Sequence, residues 1–124
     1  MKPAVLAAPS TWRRLLIGGL LLGLVVALQP YHPEPGELPH FDKVKHVAAF
    51  LVFGWMAQRA WPDRLHLPLL GLLAYGGLVE IGQGLLTTTR SASWADLLAD
   101  ALGLLLAWGW AAWRLRQAPR PTAG

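Results

Sequence analysis

Apolar runs of helical length alternate with short polar connections along this chain. They predict helices over about 13–29, 43–61, 67–86 and 95–113. A membrane-spanning helix needs roughly 20 residues, with a working range near 17–25. The third and fourth runs meet that requirement. The strictly apolar parts of the first two, 15–28 and 44–61, are short and need amphipathic flanking side chains to reach the interfaces. The pattern therefore predicts an all-α integral membrane protein, a compact bundle of four transmembrane helices over 13–114. Tails at 1–12 and 115–124, rich in Ala and Pro, are expected to be disordered.

Composition supports the membrane reading. Hydrophobic residues make up 54% of the 124 positions and charged residues 15%, against roughly 25% charged in soluble domains. The mean hydropathy is +0.38. A formal net charge of +4 raises nucleic acid as a partner, but the charges flank the apolar runs and form no basic stripe with interleaved aromatics, which excludes it. The absence of cysteine excludes disulfides, thiolate metal sites and Cys nucleophiles.

The basic residues predict an orientation. Lys2, Arg13 and Arg14 precede the first run, Arg59 and Arg64 follow the second, and Arg114, Arg116 and Arg120 follow the fourth. The connection 29–41 carries no Lys or Arg, and 87–94 carries only Arg90. The positive-inside rule places both termini and the 62–66 turn in the cytoplasm, with Lys43 and Lys45 as the discordant charges. Trp12, Trp61, Trp110 and Trp113 then mark the inner interface, and Tyr31, Phe41 and Trp94 the outer one. A rival reading of the first run is a secretory signal, with its basic start, short apolar run and Val25-Val26-Ala27. Against it, the other runs are themselves membrane-like. Pro30, Pro33, Pro35 and Pro39 make the first connection extended, and Asp42 is of a good type to cap the second helix. Gly19 and Gly23, with Gly71, Gly76, Gly77, Gly82 and Gly84, offer small-residue faces for packing within the bundle or, less specifically, for an oligomer.

Polar residues interrupt these runs at one depth. In the predicted topology His46 lies one turn inside the second helix, Glu80 and Gln83 share a face near the outer end of the third, and Asp96 and Asp100 share a face at the start of the fourth. Arg90 sits in the loop above them. A charge at the centre of a membrane helix costs about 2.5–3.5 kcal/mol on insertion scales, so such residues usually face a bundle interior and mark a functional site. Each also has a plain reading. His46 alone is a satisfied interior histidine, Glu80 with Gln83 is interhelical hydrogen-bonding glue, and Asp96 is a helix cap beside Ser93. Arg90 is an interfacial anchor, and Lys43 and Lys45 bind headgroups. Leu and Gly would serve packing without two deep carboxylates and a histidine, so the set together predicts a site.

Asp42-Lys43-x-x-His46-x-x-x-Phe50, Glu80-x-x-Gln83, Arg90 and Asp96-x-x-x-Asp100-x-x-Gly103, in that order, resemble the VanZ-like family across roughly residues 41–113. That family often has Asn where this chain has Asp100. It is named for a protein associated with low-level resistance to the glycopeptide teicoplanin, a name that does not make this chain a resistance factor. The resemblance implies a small multi-pass protein of the bacterial cytoplasmic (inner) membrane in envelope metabolism. Through a proposed kinship of fold it also implies action on lipid headgroups or lipid-linked carriers.

The corresponding expectation is a site near the outer leaflet that acts on or binds a phospholipid or polyprenyl-phosphate headgroup. Lys43 and Arg90 hold the phosphate, and Gln83 and Asp100 complete the binding set. His46, oriented by Asp42, is general base or nucleophile, Glu80 is general acid, and Asp96 orients Arg90 or His46. No cofactor is expected. A variant has His46, Glu80, Asp96 and Asp100 as ligands of a divalent cation. The alternatives are a non-catalytic lipid-binding module and a structural membrane subunit.

Overall fold

The computed structural model describes residues 8–30, 36, 41–88 and 92–117. The expectations for Tyr31, Arg90 and the remaining prolines of the first connection lie outside the described residues, as do the ends at 1–7 and 118–124. Four helices form an up-down bundle: α1 (Pro9–Ala27), α2 (Phe41–Ala60), α3 (Leu67–Leu86) and α4 (Trp94–Gln117). Among them α1, α3 and α4 are long and apolar enough to cross a membrane. The 20-residue α2 is as long as α3, but Asp42, Lys43, Lys45 and Arg59 break its apolar character.

The helix limits follow from local chemistry. α1 begins at Pro9, four residues before its expected start, because proline's fixed φ and missing N–H suit the first turn. α4 continues to Gln117, past the expected end near 113, since Arg114, Leu115, Arg116 and Gln117 all favour helix. Asp42 lies within the first turn of α2, where its charge suits the helix dipole, and is not the cap that its type suggested.

Neighbouring helices run antiparallel, so α2 and α4 are parallel, and their mutual packing is the most extensive in the bundle. Small residues set it. A Cβ at Gly103 would meet Val47 O at 2.5 Å and Leu51 N at 2.9 Å, and one at Gly54 would meet Ala107 Cβ at 2.6 Å. Gln58 Nε2 donates to Ala107 O at 2.7 Å across the same seam. The Gly19/Gly23 pair is also used within the bundle, with the Phe53 ring 3.3 Å and Tyr75 Oη 3.2 Å from their Cβ positions. Tyr75 donates its hydroxyl to Leu20 O (2.6 Å), and Phe50, Phe53 and Tyr75 form an edge-packed cluster at mid-height. Of the third helix's glycines, Gly76 and Gly84 are crowded, whereas Gly71 and Gly77 face open space. Leu16, Leu69, Leu72 and Leu104 complete the core, and Leu15, Ile17, Leu21, Leu22, Val25 and Val26 point outward from α1. Such a continuous apolar exterior is what a lipid-facing surface requires.

Candidate functional site: a carboxylate-histidine cluster at one end of the bundle

Three helical stripes converge at the end where α2 and α4 begin. On α2 the stripe is Lys43, His46 and Phe50; on α4 it is Asp96, Asp100 and Gly103; on α3 it is Gly76, Glu80 and Gln83. Spacings of three and four residues keep each set on one face. Because α2 and α4 are parallel and touch backbone to backbone at Gly103, their stripes meet as successive rungs. Lys43 Nζ lies 2.6 Å from Asp96 Oδ1, and one turn deeper His46 Nδ1 lies 2.6 Å from Asp100 Oδ1. Below them Phe50 and Val47 close on Gly103.

Asp100 is 1% exposed, and its placement depends on α3. A Cβ at Gly76 would come within 2.8 Å of Asp100 Oδ2, so glycine provides the space that the carboxylate occupies. Held there, Asp100 is the histidine's partner. The expected orienting residue, Asp42, pairs instead with Lys43 (2.8 Å), and that hydrogen bond lowers the Asp42 carboxyl from its ordinary range. The reason is geometric: Asp42 precedes His46 by four residues on one helix, but the parallel neighbour brings Asp100 closer. A carboxylate accepting from Nδ1–H leaves Nε2 as the ring's second site. That nitrogen lies 3.8 Å from Asp96 Oδ2.

The start of α4 shows how Glu80 joins the cluster. Ser93 Oγ accepts the N–H of Asp96 at 3.2 Å, the cap-to-third-residue bond expected of serine. In a capping box the third residue's side chain bonds back to the cap N–H. Here that N–H goes to Glu80 Oε2 on α3, at 2.9 Å. Glu80 thus substitutes for the missing half of the box and leaves the Asp96 carboxylate for Lys43. Glu80 is 4% exposed, and among the described residues its Oε1 has no hydrogen-bond partner.

Gln83, at 3% exposure, uses its Nε2 to donate to Ala27 O (3.0 Å), tying the end of α1 to α3. Its observed bond is a helix tie, where sequence reasoning assigned substrate contact. Of the expected residues, the structure brings together Asp42, Lys43, His46, Glu80, Asp96 and Asp100; Arg90 lies outside the described residues. Sequence reading missed Gly76 and Gly103 as the residues that seat Asp100, and missed Ser93 as the link from Glu80 to α4. The signal for Gly103 was present, since Asp96, Asp100 and Gly103 share a stripe.

His46, Glu80 and Asp100 each bring a ligand-type atom within 4.8 Å of one another. Asp96, the fourth residue of the expected cation set, falls outside this group. One imidazole and two carboxylates are hard donors suited to a divalent cation, and they would leave further coordination positions open.

No family profile, curated protein or solved structure matches this chain, so the cluster is interpreted on its geometry.

Proposed function

We propose that this chain is a four-span membrane protein, with both termini cytoplasmic, that acts on the headgroup of a phospholipid or polyprenyl-phosphate carrier at the outer leaflet. The fourth span is α2 from about Val44 onward; the whole helix, Phe41–Ala60, equals α3 in length and packs against each of the other three. The orientation is supported by Arg13, Arg14, Arg59, Arg64, Arg114 and Arg116, which gather at the end opposite the carboxylate cluster. The ordered motif resembling VanZ-like proteins agrees with this reading.

Glu80 carries the proposal. Residues that merely glue helices together satisfy their buried polar atoms, and an unsatisfied one costs roughly 1–3 kcal/mol. Glu80 keeps a buried oxygen without a partner among the described residues, beside a histidine and two further carboxylates. In the mechanism, Lys43 leaves Asp96 to hold a headgroup phosphate. His46, its tautomer set by Asp100, takes the proton of the attacking water or alcohol at Nε2. Glu80 protonates the departing oxygen. General acid–base pairs of this kind contribute about 10²–10⁴-fold.

A second reading of the same site follows from the proximity of His46, Glu80 and Asp100. These three would hold a divalent cation, which would polarise a phosphate oxygen and lower the pKa of a bound water.

The test is a mass-spectrometric survey of phospholipids and lipid-linked carriers incubated with purified protein. Wild type is run beside Glu80→Gln and His46→Ala, with and without a chelator. Headgroup loss or exchange in wild type alone is expected, and sensitivity to chelator selects the cation reading. Selective co-purification of one lipid without turnover would replace the enzyme with a binding module. Neither turnover nor selective binding would leave a structural subunit.

A further inference from the structure

The opposite end of the bundle carries a second site of different chemistry. Where α2 and α4 end, a recess of about 310 Å³ opens between them, lined by Trp55, Gln58, Arg59, Trp61, Arg64 and Arg114 among others, with no carboxylate among the described lining residues. Arg59 is pre-positioned. Its guanidinium lies 4.4 Å from the Trp55 ring centroid and 5.6 Å from that of Trp12, and its buried Nε has no hydrogen-bond partner among the described residues. Arg64 and Arg114 are exposed. Three guanidiniums around one recess suit the oxygens of a phosphate monoanion or diester, which they contact through paired N–H donors.

The recess does not stand alone. A groove of about 430 Å³ runs beside it, formed by Leu51, Val52, Trp55, Leu106 and Trp110, and its walls are almost wholly apolar. Trp55 belongs to both. On each helix the lining residues recur every four residues, Leu51, Trp55 and Arg59 on α2 and Leu106, Trp110 and Arg114 on α4. Recess and groove therefore lie along one seam of two parallel helices, charged at the helix ends and apolar towards mid-height. A soluble anion would use only the first half. We infer that this seam binds one anionic phospholipid, its phosphate among Arg59, Arg64 and Arg114 and an acyl chain in the groove below Trp55. Basic pockets between membrane helices are recognised sites for anionic headgroups. The site lies at the far end of the helices from the carboxylate cluster and does not depend on any activity there.

Native mass spectrometry of the full chain in neutral detergent tests this. Phosphatidylglycerol, phosphatidylcholine and soluble glycerol phosphate are titrated separately. Phosphatidylglycerol should bind at least tenfold more tightly than phosphatidylcholine, and glycerol phosphate should compete weakly. Arg64→Gln and Arg114→Gln, both at exposed positions, should each weaken phosphatidylglycerol by about fivefold. Val52→Trp, at an exposed position in the groove, should weaken the lipid and leave glycerol phosphate unaffected. Arg14→Gln removes the same charge at an exposed position outside the recess and should change neither. Equal losses in Arg14→Gln and the recess variants would reduce the effect to overall charge and overturn the site. Glycerol phosphate competing as well as the lipid, or Val52→Trp binding like wild type, would overturn the lipid assignment.

Discussion

The two ends of this bundle hold charge in opposite ways. At one end Lys43, His46, Asp96 and Asp100 are paired across α2 and α4 at 2.6 Å, while Glu80 from α3 caps α4. At the other, Arg13 donates to Ala60 O and lies over Trp61, and Arg59 stacks on Trp55 and Trp12. The first arrangement consumes the charges within the protein, as deep burial requires. The second holds its guanidiniums against aromatic faces, with no carboxylate paired to Arg13 or Arg59 among the described residues. The contrast teaches that burial sets the form of pairing: buried charges interlock across helices, and more exposed guanidiniums settle on aromatic faces.

The sharpest way to break this contrast is Glu80→Gln. The amide keeps the bond from Ser93 but cannot deliver a proton, so under the proposed lipid-headgroup chemistry turnover should fall by about 10² or more. The melting temperature should change little. A large loss of stability with activity retained would make Glu80 a structural residue. Gly103→Ala comes next, because its new methyl group meets the α2 backbone, which cannot rotate away. A loss of about 1–3 kcal/mol in unfolding from detergent is expected, with the His46–Asp100 rung disturbed and the arginine end unaffected.

A pair of double-mutant cycles compares the ends directly. His46→Ala with Asp100→Ala should show a coupling near 1–2 kcal/mol, at the upper end for polar contacts within membranes. Arg59→Gln with Trp55→Leu should show about 0.5–1 kcal/mol. Equal couplings would erase the distinction. Ser93→Ala should cost about 1 kcal/mol through the lost cap, and thermal denaturation would detect it. The smallest effect is expected for Gly71→Ala. Nothing lies within 4 Å of the new Cβ, so helix propensity should make it neutral or stabilising by up to about 1 kcal/mol.

Much of this architecture was legible in the chain. Helices over 67–86 and 95–113 followed from run length and hydropathy, and the limits of α3 agree to the residue. Errors at α1 and α4 came from treating the ends of the apolar runs as the ends of the helices. Pro9 starts a helix before its apolar run, and Arg114 to Gln117 continue one after it. The convergence of His46, Glu80, Asp96 and Asp100 was also legible, because depth along a helix follows from counting residues. Pairing was not. Counting placed Asp42 one turn before His46 and made it the partner, whereas the structure pairs His46 with Asp100, fifty-four positions away.

By itself, then, the sequence determined which segments become apolar helices and at what height each polar side chain sits, because both depend on periodicity and on the 1.5 Å rise per residue. Only the tertiary structure decided who meets whom. That depends on how closely two backbones approach and at what stagger, which here is set by Gly103 against Val47 and by Gly76 against Asp100. Contact distances of this kind arise from the whole set of packed surfaces; a glycine on a polar stripe, as Gly103 is, marks the place without giving the distance.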